Sequence, residues 1–263
     1  MATQKKKPAA QAPKKQLPGQ GPNLRTFYIV LAILALGGIG WIGYSMVGGG
    51  TSAATDPIEL TGIDDPQSLL RQAQGVLAGS VEGSSAQVLV FSDFTCPACQ
   101  RFVQFIEPQV KAEFVANSAI RYTYYDYPLG GAGQHRWGFL AARAARCAAE
   151  QNKFWEYHDL LFGRQAEWSY SGKPPVDAFV QYSGLLSLNT GAFRSCLESD
   201  KYADIVTANR LLGDRLGVTG TPTVFIGSRS IPDWSNYDAV RAAIQREIGP
   251  AAMAADTASA GGN

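Results

Sequence analysis

Apolar positions along the chain change their spacing in a repeating order. Residues 88–91 form a continuous apolar run of strand length. From Phe102 the spacing opens to Phe102, Phe105, Ile106 and Val110, the period of a helix, with Pro108 predicting a kink. Residues 119–125 (AIRYTYY) return to a strand pattern, so strand, helix and strand predict a βαβ unit with parallel strands. Helical spacing then dominates, with segments expected over 134–151, 153–164, 176–182, 190–198 and 202–216. The sheet resumes at 223–226 and 229–231 as a hairpin-like pair. A last amphipathic helix over 237–248 follows, through Val240, Ala243, Ile244 and Ile248. Upstream, Leu69, Leu70, Ala73, Val76 and Leu77 predict a short helix over 66–78.

The two ends read differently. Residues 1–25 carry Lys5, Lys6, Lys7, Lys14, Lys15 and Arg25 without an acid or an apolar period, and are expected to be a disordered basic tail. Residues 26–47 (TFYIVLAILALGGIGWIGYSMV) hold no charge and are long enough to cross a bilayer, with Tyr28, Trp41 and Tyr44 near the ends. The preceding positive charges predict a single-pass signal anchor with a cytoplasmic N-terminus and an exported remainder. A cleaved signal peptide competes with this reading, because Thr51-Ser-Ala-Ala54 is small enough to be cut. Residues 48–80 are expected to be a tether with the short helix, and 249–263 a disordered tail.

Charge sharpens that division. The whole chain of 263 residues is nearly neutral at +1, but without the basic tail 17 bases face 22 acids, net −5. The basic block is therefore local, and no nucleic-acid surface is expected. The four cysteines, an even number, suit an oxidising compartment if Cys147 and Cys196 pair.

The chemistry concentrates at Phe91-Ser-Asp-Phe-Thr-Cys96-Pro-Ala-Cys99. Asp93 and Thr95 offer capping oxygens, and Pro97 suits a first helical turn, so a helix is expected to begin at Cys96. A thiol there faces free N–H groups and the positive end of the helix dipole, which favour its thiolate. Cys96 is the candidate nucleophile, and Cys99, one turn on, is placed to attack a mixed disulfide formed at Cys96. Zinc would need two further ligands at compatible spacing, which Cys147 and Cys196 do not offer. A purely structural short-loop disulfide remains the other reading. Asp93 is a cap or a proton acceptor for Cys99. His135 is read as a helix-start histidine that could reach the rim of the site, and His158, beside Trp155 and Leu161, as a packed core histidine.

A second landmark is Gly220-Thr221-Pro222 at the entry to the strand over 223–226. Proline cannot donate to a ladder and belongs at a strand start or a special turn. Taken with the Cys-x-x-Cys helix start and the inserted helices, it makes the stretch 87–248 resemble the thioredoxin superfamily. The branch resembled is that of the DsbA-like thiol:disulfide oxidoreductases, in its membrane-anchored Phe-Ser-Asp-Phe-x-Cys-Pro-x-Cys subtype.

The resemblance implies an α/β thioredoxin fold over 81–248 with an inserted helical domain at about 133–216, preceded by the transmembrane helix. It makes Cys96 the attacking and Cys99 the resolving cysteine, with Pro97, Ala98, Thr221 and a cis Pro222 as walls that meet the substrate chain. It implies introduction of disulfides into reduced exported proteins at the outer face of a bacterial cell membrane. Reoxidation would come from a membrane partner of DsbB or VKOR type, with no cofactor or metal in the chain itself. Use of the same pair by a reductase or isomerase is one alternative, and a non-catalytic envelope peptide-binding module is another. Two departures stand out. Ala98 replaces the histidine of strongly oxidising members, and Val90 stands where thioredoxin has a buried acid. In an exported chain Cys147 and Cys196 are expected to form a structural disulfide between two insertion helices; two buried free thiols are the alternative.

Overall fold

The computed structural model describes residues 54–249 apart from 64, 81 and 85. The expected membrane span at 26–47, the basic tail and the C-terminal tail lie outside the described residues. Among those described, no helix is long and apolar enough to cross a membrane.

Strands β1 (Val76–Ala78), β2 (Ala86–Ser92), β3 (Ile120–Asp126), β4 (Thr223–Ile226) and β5 (Arg229–Ser230) form one sheet in the order β1-β3-β2-β4-β5. Strand β2 pairs parallel to β3 and antiparallel to β4, while β1 adds antiparallel to β3. The expected βαβ unit is therefore present. Its crossover is α2 (Pro97–Phe105) and α3 (Glu107–Val110) with a wide π-helical turn over Lys111–Val115. The axis breaks at Ile106, two residues before Pro108, whose ring cannot sit inside a continuous helix.

The segment 66–78 differs from its expected single helix. Helix α1 (Pro66–Gln72) stops early, and Val76–Ala78 becomes the edge strand β1. Between them Gly75 lies so close to β3 that a Cβ would meet Thr123 Cγ2 at 2.2 Å. Apolar spacing alone cannot distinguish a helix's last turn from a three-residue strand.

The insertion runs from a 3₁₀ turn (Gly133–Trp137) through α4 (Gly138–Ala149), α5 (Phe154–Gly163), α6 (Gln165–Trp168), α7 (Val176–Leu185), α8 (Thr190–Glu198) and α9 (Ala203–Arg215). Helix α10 (Tyr237–Ile248) follows the sheet. Cys147 in α4 and Cys196 in α8 are joined by a disulfide across 49 residues of sequence. Val88, Val90, Tyr122 and Tyr124 face a large core covered by α2, α4 and α5. On the opposite face Phe91 stacks on Tyr125 at 5.0 Å and belongs to a smaller cluster with Tyr127, Ala208 and Leu212. Because both faces are covered, β2 reads as an unbroken apolar run rather than an alternating one.

Candidate active site: a thiol pair at a helix start

Ser92 ends β2, and the chain turns at once into α2. Asp93 organises this turn: its Oδ1 accepts from Thr95 N at 2.8 Å and Thr95 Oγ1 at 2.7 Å, and its Oδ2 accepts from Leu129 N at 2.9 Å. Asp93 is fully buried, and with these bonds it acts as a cap of the loop. Cys96 occupies the N-cap position of α2, with extended backbone and Pro97 in the first helical position. Pro97 is exposed and Ala98 half-buried. Cys99, one turn on, is completely buried at 0% exposure, while Cys96 retains 7%. Both are free thiols.

The opposite wall comes from the far end of the sheet. The Thr221–Pro222 peptide is cis, and the Cys96 thiol donates to the Thr221 carbonyl at 3.3 Å. A shallow groove of about 310 Å³ runs beside it, lined by Gly220, Thr221, Pro222, Ser230 and Trp234 among others. Thus Cys96 meets Thr221, 125 residues on in sequence, at the cis peptide that leads into Pro222.

The two thiols are electrically unequal. Donation from the Cys99 thiol is the largest influence on Cys96; burial opposes it, and the Thr221 hydroxyl and the N–H groups of Cys99 and Ala98 add to it. Together they lower Cys96 from 9.0 to about 6. Thr221 Oγ1 is buried and has no other partner among the described residues, so it can turn toward the sulfur. Burial, followed by the neighbouring Cys96 sulfur, pushes Cys99 well above its ordinary range. The thiolate at Cys96 is therefore supported without a histidine at position 98.

Two further residues reach the site: His135, read from the sequence as a helix-start histidine able to reach its rim, and Gln165, which the sequence did not single out. His135, in the 3₁₀ turn, lies 2.9 Å from Thr95 Oγ1 and 3.4 Å from Asp93 Oδ2 through its Nδ1. Thr95 Oγ1 already donates to Asp93, so Nδ1–H is the donor here. The Asp93 carboxylate raises the His135 pKa, with a further contribution from Cys96. Gln165, in α6, donates to the Phe94 carbonyl at 2.7 Å and to the Cys96 carbonyl at 3.1 Å from a buried position. Gln165 had no sequence signal, since a four-residue helix between longer ones has no readable period. His158 is fully buried with its ring 5.0 Å from both Tyr124 and Phe162, away from solvent. Ser92 Oγ and Tyr124 OH, both buried beneath Cys99, complete no hydrogen bond among the described residues.

The thioredoxin family, by its description, matches residues 74–246. The chain is 32% identical over 166 residues to Na(+)/H(+) antiporter NhaA 3 of Salinispora tropica, a match covering 63% of this chain and 24% of that protein. It is 22% identical over 163 residues to Disulfide bond formation protein D of Bacillus subtilis, covering 61% of this chain and 72% of the relative. The fold matches the crystal structure of oxidised BdbD from Bacillus subtilis with a TM-score of 0.59 at 20% identity, over 67% of this chain and 96% of that one. The chain thus spans about a quarter of the antiporter's length and most of the disulfide protein's.

Proposed function

Since this chain belongs to the thioredoxin family and has a DsbA-like fold, we propose that it is an extracytoplasmic protein disulfide oxidoreductase that introduces disulfides into exported proteins. The observation that carries this is the inequality of the two thiols: one that keeps a little exposure and is lowered to about 6, beside a fully buried one raised well above its usual range. An enzyme that stabilises its own reduced form gives its disulfide away readily.

In the reaction a substrate thiolate attacks Cys96 Sγ of the Cys96–Cys99 disulfide, and Cys99 leaves. A second substrate thiol then attacks the substrate sulfur of the mixed disulfide. The substrate disulfide forms, and Cys96 departs as the favoured thiolate. The Thr221–Pro222 wall and its groove supply backbone and shape for the bound chain. The family resemblance points to a membrane protein of DsbB or VKOR type as the acceptor of the two electrons. The Cys147–Cys196 bridge agrees with an oxidising compartment, and the apolar run at 26–47 with tethering to the bacterial cell membrane.

Equilibrating the full chain with glutathione redox buffers tests the direction. The expected potential lies well above the roughly −270 mV of thioredoxin, toward the roughly −120 mV of DsbA. A value at or below that of thioredoxin refutes the oxidase reading and leaves a reductase.

A further inference from the structure

Thiol exchange at this site moves a proton as well as electrons, and the Asp93 carboxylate beside the buried sulfur is already engaged by Thr95 N, Thr95 Oγ1 and Leu129 N. Cys99 is sealed from solvent at 0% exposure. Val90, at the position of thioredoxin's buried acid, can neither give nor take a proton. Yet the sheet beneath Cys99 is polar where a core is usually apolar.

Strand register places Ser92 opposite Asp126 and Val90 opposite Tyr124 on the parallel pair β2–β3, so Ser92, Tyr124 and Asp126 share the face that α2 covers. Ser92 bears on both the Cys99 thiol and the Tyr124 hydroxyl, lowering the pKa of each, without completing a hydrogen bond to either among the described residues. The Tyr124 hydroxyl in turn feels the charges of both Asp126 and Cys99. Asp126 is unusual in its bonding. Its Oδ2 accepts from Arg146 Nε at 2.9 Å, Arg146 Nη2 at 2.6 Å and Asn209 Nδ2 at 3.0 Å, while its Oδ1 accepts from nothing among the described residues. Ser92 Oγ, Tyr124 OH and Asp126 Oδ1 are thus three buried polar atoms on neighbouring positions, none with a completed hydrogen bond among the described residues. Buried polar atoms left this way are costly, and a cluster of them commonly holds water.

We propose that Ser92, Tyr124 and Asp126 are the proton route of Cys99, with water bridging the gaps and Asp126 Oδ1 as the terminal base. The inference rests on the thiol:disulfide exchange proposed above. When Cys99 attacks a mixed disulfide, its S–H proton passes by way of Ser92 to the Asp126 carboxylate. The sulfur electron pair forms the Cys99–Cys96 bond, the Cys96–substrate bond breaks, and the substrate sulfur leaves with its electron pair. In the opposite direction a substrate thiolate attacks Cys96, the Cys96–Cys99 bond breaks, and the electron pair arriving on Cys99 takes the proton back. Ser92 is the member of the route that acts on the reacting sulfur, through water, and Tyr124 and Asp126 act through it. The other charged or titratable groups around the route are Cys96 and Asp93 beside the thiol, Arg146 of α4 on Asp126, and His158 of α5 against the Tyr124 ring.

The reduced full chain treated with 5,5′-dithiobis(2-nitrobenzoate) gives a test in two phases. Attack by Cys96 releases one thionitrobenzoate, and Cys99 then releases a second from the mixed disulfide. In Ser92→Ala the second phase is expected to slow at pH 7 by about tenfold or more, the lower edge of general acid–base effects. Its pH profile should move upward, so that the wild-type rate returns in alkali, and the second phase should slow far more than the first. Tyr124→Phe should shift the same phase in the same direction. Both variants remove only a hydroxyl without a completed bond, so the fold is expected to survive, which circular dichroism checks. Asp126→Asn should give the largest effect. A second phase with wild-type rate and pH profile in both hydroxyl variants overturns the proton route. If the wild-type chain shows no second phase at all, the exchange reading itself fails.

Discussion

Replacing Cys99 with alanine removes the largest influence that holds Cys96 as a thiolate. With a value of about 6, Cys96 in the reduced protein should be about 90% thiolate at pH 7. In Cys99→Ala the Thr221 hydroxyl and the helix N–H groups remain, so the midpoint should rise by at least about one pH unit without reaching that of a free thiol. At pH 7 the thiolate fraction then falls to about half or less. Absorbance at 240 nm against pH, checked by the pH dependence of iodoacetamide alkylation, reads both midpoints. The same numbers predict a redox-dependent stability. The folded value lies below the unfolded one, so the stabilisation is fully present above about pH 9 and is lost as the pH falls through about 6. Discounted for solvent reaching this sulfur, it is worth about 2–3 kcal/mol, and only to the reduced form. Urea denaturation of the reduced and oxidised proteins at pH 5 and pH 8.5 should show it. A wild-type midpoint near 8.5, or the same midpoint in both proteins, refutes the reasoning.

Removing the Cys147–Cys196 bridge by double alanine substitution should cost about 4 kcal/mol on the chain-entropy estimate, a fall in Tm on the order of 10 °C. Thermal denaturation with an unchanged Tm contradicts this. Arg146→Met strands the buried Asp126 carboxylate and should cost about 3–5 kcal/mol by urea titration, whereas adding Asp126→Leu should recover most of it. A loss below about 1 kcal/mol for the single variant would show that the pair is not desolvated as the structure has it. His135 should titrate by NMR above 6.5 and move back toward that value in Asp93→Asn. The stability linked to it is present below about pH 6.5 and fades as the pH rises through the raised value. No difference between the two proteins would place His135 outside the influence of Asp93.

Most of the scaffold could be read from residue spacing. The runs at 88–91, 119–125 and 223–226 coincide with strands, and the spacing over 190–198 and 237–248 matches helices at both ends, because a residue's position relative to its neighbours decides which face it buries. The Cys-x-x-Cys helix start was equally local: Pro97 opens the first helical turn, and the Asp93 turn precedes it within a few residues. Segments of three or four residues, such as β1 and α6, are too short to show a period, and only their partners in space define them.

The amino-acid sequence by itself determined that a thiol pair opens a helix between two parallel strands, and that a proline enters another strand far along the chain. The tertiary structure decided what surrounds that pair. Ala98 suggested a weakly supported thiolate, but the support arrives from Cys99, Thr221 and backbone N–H groups. Val90 stands where thioredoxin has a buried acid, and only register brings Asp126 of the neighbouring strand opposite Ser92, with Arg146 from an insertion helix to hold it. His135 and Gln165 likewise reach the active-site turn only because the insertion folds back over it. Helix starts and strand runs are set by short-range sterics and capping, whereas charge, burial and proton transfer depend on distances between residues that only the folded chain brings together.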